Sequence, residues 1–458
     1  MAAKVTFHGG AGTVTGANFL LDVGTENILI DCGILQREQV CDTANSAPFA
    51  YDVKTVGALL VTHAHADHIG RIPRLVREGF RGAIHSTGAT KDLAALMFAD
   101  ALRVMREDAL KRGCEALYEA EDIEKALSLW NTHEYREPFT PNPKGGASGI
   151  TAEFLDAGHV LGSALVKLTR HDRTIVFTGD IGNSPEPLLK DTEFPTGADY
   201  LVMESVYGDR VHDGRAERRE KLRQCVEDTR ARKGVLLIPS FSLERTQLLL
   251  FELNVMMEEG TLAPIPVYLD SPLAMEVTDV FRKYKRLLNP AAREHFSERG
   301  DPFSFQSLQL TRGVSESRAI HGAPSPKIII AGAGMSHGGR IPVHEKYYLG
   351  DKHATILFVG YQVPGSLGRR IQDGEKRVEI DGEHIRMYAK RETLTGYSGH
   401  ADREQLLTFV EKTSERLERV FVTMGEPQSS MFLAQRIRDF LGIDAVVPEA
   451  GQSFDIDF

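Results

Sequence analysis

Thr62-His63-Ala64-His65-Ala66-Asp67-His68 follows directly on the apolar run Ala58-Leu59-Leu60-Val61 and crowds three imidazoles and a carboxylate together. So many ligand atoms in so short a span call for a cation. As a helix the segment puts His63 and Asp67 on one face and sends His65 elsewhere; as a strand it groups His63, His65 and Asp67 and leaves out His68. Only an irregular loop converges all four. The apolar run reads as a buried strand, and Ile69, Ile72, Leu75 and Val76 recur at helical spacing up to Gly79, a natural C-cap. Pro73 is tolerated only in a first turn, so the helix is expected to begin near Gly70, with His63 to His68 left as loop. Neutral imidazoles with a hard carboxylate suit zinc, iron or manganese, and no neighbouring cysteine offers a structural thiolate site, so a catalytic metal is the first reading. A purification tag would sit at a terminus and lack the embedded Asp67.

His-x-His-x-Asp-His after a strand resembles the signature of the metallo-β-lactamase superfamily. The resemblance implies further ligands downstream: a His in a Gly-His context, an Asp ending a later strand, and an Asp near the N-terminus. Asp156-Ala157-Gly158-His159, Phe177-Thr178-Gly179-Asp180 and Ile28-Leu29-Ile30-Asp31 stand in those places.

The chain has 458 residues and a formal net charge of −10. That length suggests two or three domains, and the acidic balance offers no general attraction to phosphate backbones, so any nucleic-acid contact must be local. The four cysteines, Cys32, Cys41, Cys114 and Cys225, show no metal spacing. They fit a reducing compartment. Neither a signal-peptide core nor a window of membrane-spanning apolar length is present, which reads as a cytosolic protein with no membrane partner.

From Lys4 to Asp31, short alternating segments broken by glycines predict antiparallel strands. Residues 88 to 130 turn helical, with Leu93, Leu96, Met97 and Ala101 on one face. Strands return at Thr151–Leu155, Ala164–Thr169, Thr174–Thr178 and Tyr200–Met203. After Gly208 helices alternate with apolar strands, the mark of βαβ units on a mainly parallel sheet. Residues 288 to 326 read as a long surface excursion. From about Thr395 the tail resumes the first domain's chemistry. The expected organisation is therefore 1–208, an inserted 209–392, and 393–458.

The insertion, with Met203-Glu204-Ser205-Val206-Tyr207-Gly208 and Ser398-Gly399-His400-Ala401-Asp402, resembles the β-CASP group of metallo-β-lactamase nucleases. That resemblance implies a four-layer αββα sandwich carrying an inserted α/β domain. It further implies that His63, His65 and His159 hold one zinc and Asp67 and His68 another, with Asp180 bridging and Asp31 orienting. His400 would be the general acid that protonates the leaving oxygen, its tautomer fixed by Glu204. Gly332 to Arg340 and Ser240 to Gln247 would offer backbone N–H groups, Ser336, Arg245 and Arg340 to phosphates; plain strand-to-helix turns explain the glycines equally well. The basic run Arg210, Arg215, Arg218, Arg219, Lys221 and Arg223 is interleaved with Asp213, Glu217 and Glu220, and reads as a solvated helix face.

One position departs from the pattern. Where RNA-processing members carry a His before Gly-Glu, this chain has Met424-Gly425-Glu426, which weakens the second zinc site and the choice of RNA over DNA. Manganese is an alternative occupant. The function implied is a zinc-dependent ribonuclease cutting single-stranded RNA with metal-activated water, monomeric or a homodimer. Its alternatives are a glyoxalase- or lactonase-type hydrolase, a DNA-directed relative, and a catalytically impaired RNA-binding protein.

Overall fold

The apolar run before the histidines forms the strand Val56–Leu60, and its place in a sheet decides what lies beside the motif. The computed structural model describes residues 2–35, 43–113, 115–142, 149–212, 214–363 and 365–458. Two units divide the chain, residues 1–211 with 400–458, and residues 212–399. Cys41, Cys114 and Asp213 lie outside the described residues, as does the side chain of Arg215.

In the first unit, one sheet runs in the order Ser453–Asp457, Ala2–Gly9, Asn18–Asp22, Asn27–Ile30, Val56–Leu60, Ala83–Thr87, Trp130–His133. A second runs Asp444–Val446, Arg419–Val422, Tyr200–Met203, Arg173–Phe177, Ala164–Arg170, Ile150–Asp156. Alternate side chains of both sheets meet in one apolar cluster: Phe7, Phe19, Ile30 and Leu60 from the first, Phe154, Val166, Phe177, Val202 and Phe421 from the second. This is sheet-on-sheet packing, with the period-2 alternation of each strand filling the layer between. The helix Gly88–Arg112 covers the far side of the first sheet, beside Ala83–Thr87 and Trp130–His133. Helices Arg403–Thr413 and Pro427–Arg436 cover the second, through Leu406, Phe409, Leu433 and Ala434. The layers are therefore αββα.

One expectation needs correction here. Asp67 and His68 lie in a helical turn, Ala66–Ile69, rather than in loop, and only then does Ile72–Arg77 begin with Pro73 in its first turn. Tertiary hydrogen bonds hold that turn: the N–H groups of Ala17, Cys32 and Ile34 donate to the carbonyls of Asp67, His68 and Ala66 at 2.8, 2.8 and 3.0 Å. Gly33 passes so close that a Cβ there would fall 1.5 Å from the Asp67 carbonyl oxygen, a constraint that no local pattern shows.

The second unit holds a six-stranded parallel sheet, Leu308–Leu310, Val267–Asp270, Lys327–Ala331, Val235–Pro239, Thr355–Phe358, Lys390–Thr393, with helices between the strands. Residues 288–326 are not the surface excursion expected. They supply the helix Pro290–Glu298, capped by the Asn289 side chain, and the edge strand Leu308–Leu310. The basic run also departs in part. Arg219, Lys221 and Arg223 are paired at the surface with Glu259, Glu217 and Glu220. Arg218, however, is only 2% exposed, its guanidinium 3.6 Å from Glu252 and stacked on Tyr397, whose hydroxyl bonds the same Glu252. An arginine can be buried when a carboxylate and a ring replace its water.

Residues 401–445 give the second apolar cluster Leu406, Phe409, Val410, Val420, Val422, Leu433, Ala434 and Ile437. At about 1.5–3 kcal/mol for each large buried side chain, their loss exceeds the net stability of a typical domain, about 5–15 kcal/mol. Residues 1–211 expressed alone should therefore not unfold cooperatively. The two pieces of the first unit also meet in space, since the Arg403 N–H donates to the Arg210 carbonyl at 3.0 Å. Replacing 212–399 by a short Gly-Ser linker should restore a cooperative calorimetric transition; a cooperative transition in 1–211 alone would contradict this account.

Candidate metal centre

Four of the candidate ligands sit just beyond strand ends of the first unit. His63 and His65 follow Val56–Leu60, His159 follows Ile150–Asp156, and Asp180 follows Arg173–Phe177. Their ligand atoms, one from each of His63, His65, His159 and Asp180, all lie within 4.8 Å of one another. His63 Nε2 is 3.0 Å from His65 Nδ1, which is 3.2 Å from His159 Nε2. Asp180 Oδ2 stands 3.4 Å from His63 Nε2 and 3.5 Å from His159 Nε2. A tetrahedron with arms of about 2.0–2.1 Å, the zinc–nitrogen distance, has edges of about 3.3–3.4 Å. The four donors are spaced as such edges, and one proton on His65 Nδ1 would serve two neighbours poorly. Burial, the largest cause for each, pushes the imidazoles of His63, His65 and His159 down, towards the neutral form a metal needs. The residues fit a metal ion.

His68 lies on the other side of the Asp180 carboxylate. Its Nε2 is 3.3 Å from Asp180 Oδ1 and 4.0 Å from Asp67 Oδ2. Both His68 Nε2 and Asp180 Oδ1 are buried without a hydrogen-bond partner among the described residues, a cost that an ion between them would remove. The other His68 nitrogen, Nδ1, donates to Asp31 Oδ2 at 2.7 Å. A carboxylate that takes one ring N–H turns the opposite lone pair towards the metal. Asp31 holds that position with a φ of 57°, uncommon for a residue other than glycine, at the end of the strand Asn27–Ile30.

Thr62 is a functional residue that the sequence reading left without a role. Its N–H and hydroxyl donate to Asp31 Oδ1 and Oδ2 at 2.8 and 2.7 Å, and its Oγ1 lies 3.1 Å from His63 Nδ1. One hydroxyl thus orients Asp31 beside two candidate ligands. Its position immediately before the motif was the only signal. Ser163 does similar work for His159, its Oγ accepting from the N–H groups of His159 and Val160 at 3.1 and 3.2 Å.

His400 reaches the centre from the far end of the chain. A bridge between Gly182 and His400, and an Ala401 N–H donated to the Ile181 carbonyl at 2.8 Å, fix its backbone beside Asp180. Its Nδ1 is 3.3 Å from Glu204 Oε1 and 3.9 Å from Asp180 Oδ2. Glu204 is itself held by the Ile181 N–H at 2.6 Å. Burial alone would lower the His400 pKa, but the carboxylates of Glu204 and Asp180 together raise it to about 8. Asp180, Glu204 and His400 also lie close enough to form a metal-competent group of their own.

Met424 is buried among the apolar side chains between the sheets, and its sulfur lies 2.6 Å from where a Cβ on Gly10 would be. The three residues expected at phosphates all belong to the second unit. Arg340 donates to Asp270 Oδ1 and to the Thr311 and Arg312 carbonyls at 2.5, 2.8 and 2.6 Å, because Asp270 is fully buried and needs a counter-charge. Ser336 and Arg245 are buried.

Residues 20–205 match the Metallo-beta-lactamase superfamily domain, 246–371 the Beta-Casp domain, and 384–448 the Zn-dependent metallo-hydrolase RNA specificity domain. Ribonuclease TTHA0252 of Thermus thermophilus is 36% identical over 94% of this chain and 95% of its own length. The chain belongs to the β-CASP group of the metallo-β-lactamase superfamily. This β-CASP protein is also 31% identical to Transcription termination factor FttA of Methanosarcina mazei, over 96% of the chain and 70% of that protein. A crystal structure of a protein of unknown function from Enterococcus faecalis shares the fold, with a TM-score of 0.55 at 12% identity over the whole of both chains. The β-CASP protein is a metal-dependent hydrolase.

Asp31→Asn removes no candidate ligand yet loosens His68 and Thr62, so metal affinity measured by competition with a chelator should fall about 10–100-fold. Asp180→Asn should lower metal content and activity together. Retention of both in Asp180→Asn would place the shared carboxylate elsewhere.

Proposed function

We propose that this β-CASP protein is a zinc-dependent phosphodiesterase that hydrolyses single-stranded RNA. One observation carries the reading: a donor set spaced for a metal, His63, His65, His159 and Asp180, stands beside a histidine that is paired with a buried carboxylate. A thioester or lactone hydrolase needs no such pair, whereas a phosphodiester has a poor alkoxide leaving group that must be protonated. The names of the relatives, a ribonuclease and transcription termination factors, favour RNA as the nucleic acid. The free, buried Cys32 and Cys225 accord with a reducing, cytosolic setting, and among the described residues no helix is long and apolar enough to cross a membrane.

In this reading His63, His65 and His159 would hold one zinc, Asp67 and His68 would hold a second, and Asp180 would serve both. Bound zinc supplies Lewis acidity, lowering the pKa of an attacking water and stabilising charge on the phosphoryl oxygens. Asp31 and Thr62 keep the ligand side chains in place. Glu204 fixes Nδ1 of His400, so Nε2 carries the proton that passes to the departing 3′-oxygen as its bond to phosphorus breaks. The products are a 5′-phosphate and a 3′-hydroxyl.

Purified protein should cleave end-labelled single-stranded RNA, lose that activity to a chelator and regain it with Zn²⁺ or Mn²⁺. His400→Ala should keep its metal and slow cleavage by about 10²–10⁴-fold, the usual worth of a general acid. Loss of metal in the same variant would make His400 a ligand instead. Metal-dependent thioester hydrolysis with no cleavage of RNA or DNA would overturn the nuclease reading.

With Met424 in place of an imidazole, the second site has only Asp67, His68 and the shared Asp180. Mass spectrometry after dialysis should find closer to one zinc than two per chain, and Met424→His should raise that content. Two tightly held ions in the wild type, with no gain in the variant, would show that the thioether costs the second site nothing.

A further inference from the structure

The helix Pro427–Arg436 and the π-helical turn Ile437–Leu441 that continues it bury Ser429, Ser430, Leu433, Ala434 and Ile437. On the outside, where a surface helix ordinarily shows charge, Met431, Phe432 and Phe440 are 57%, 39% and 66% exposed. Phe432, Arg436 and Phe440 recur every four residues and so form one ridge. The Arg436 guanidinium carbon lies 4.1 Å from the Phe440 ring centroid and 5.9 Å from that of Phe432. Its Nε is buried and has no hydrogen-bond partner among the described residues. Turns with π-helical bonding are frequent at functional sites, and this one carries Phe440.

The ridge is continuous with the catalytic end of the first unit. Arg403, in the first turn of the helix that follows His400, lies 5.9 Å from the Phe432 centroid. Its N–H bonds the Arg210 carbonyl, and the Arg210 guanidinium is 5.8 Å from the Tyr207 ring. Glu404 and Asp209 already pair with Arg403 and Arg210, which leaves Arg436 as the cation best placed to meet an anion.

We propose that this ridge is a docking surface for the part of a single-stranded RNA chain that lies outside the cleavage site; the proposal rests on the ribonuclease reading above. Bases stack on Phe432 and Phe440, and Arg436, aligned between the rings, contacts the phosphates that link them. Exposed rings interleaved with arginine match the alternating π faces and charges of an unpaired strand. Three exposed apolar side chains supply far less than the about 800 Å² per partner of a standard protein interface.

The test uses the full chain with Phe432→Ala/Phe440→Ala and Arg436→Ala, and two labelled oligoribonucleotides of about 4 and about 15 nucleotides, the span of single-strand binding sites. For the long substrate KM should rise about tenfold in the double variant, with kcat unchanged and the short substrate's kcat/KM unmoved. Anisotropy of the long oligonucleotide, read with chelator present, should show the same loss of affinity without any cleavage. Equal effects on both lengths, or none on either, would overturn the proposal. So would a double variant that binds RNA normally but sediments as a monomer where the wild type is a dimer, since the ridge would then join two copies. If the wild type binds but does not cleave and the variants lose binding, the docking surface stands and the ribonuclease reading falls.

Discussion

The Asp180 carboxylate is the point on which the first unit's chemistry turns. It is 2% exposed, yet nitrogens of His63, His68, His159 and His400 lie within 3.3–3.9 Å of its two oxygens. A lone carboxylate in that interior would take up a proton. Burial does push it that way, but the surrounding imidazoles prevail and hold it well below the usual carboxylate range. The imidazoles reach that one carboxylate from different supports: His63 and His159 from beyond strand ends, His68 from the helical turn Ala66–Ile69 and His400 from the returning chain. That convergence explains why the ligands come from sequence positions more than a hundred residues apart while their strands share two packed sheets.

Much of this was legible before any coordinates. The spacing of His63, His65, Asp67 and His68 demanded a cation on chemical grounds, and the βαβ texture of the second unit followed from alternating apolar and helical segments. The helical turn Ala66–Ile69 did not, because the bonds from Ala17, Cys32 and Ile34 that anchor it are tertiary and leave no periodicity. Thr62 escaped for a related reason: a threonine at a strand end has an ordinary β-branched explanation, and only its distances to Asp31 and His63 reveal the second role.

Charged side chains were read least well. Arg218 and Arg340 sit in sequence contexts that suggest solvent or phosphate, and both proved to be internal counter-ions, of Glu252 and Asp270. Nothing local separates an arginine that neutralises a buried acid from one that awaits a ligand. The acid is distant in sequence, and removing either partner leaves an uncompensated charge inside. The same difficulty hid the ridge on Pro427–Leu441, since Phe432, Arg436 and Phe440 at helical spacing look like a core stripe until burial shows that Ser429, Leu433 and Ile437 face inward instead.

The position of His400 in the chain has a consequence for how the two kinds of chemistry are connected. The six residues proposed to hold metal lie between His63 and Asp180, upstream of the second unit, whereas His400 is the first residue of the first unit after it. His400 is tied down by Gly182, Ile181 and Glu204, all within the first unit. The metal-competent group of His63, His65, His159 and Asp180 therefore rests on strand ends formed before the insertion, and the place of His400 depends on the chain returning in register beside Asp180. A displaced return segment would leave that group intact without His400 beside it. Because the Tyr207–Asp402 bridge and the Arg210–Arg403 bond clamp the two chain crossings together, that register is set inside the first unit itself.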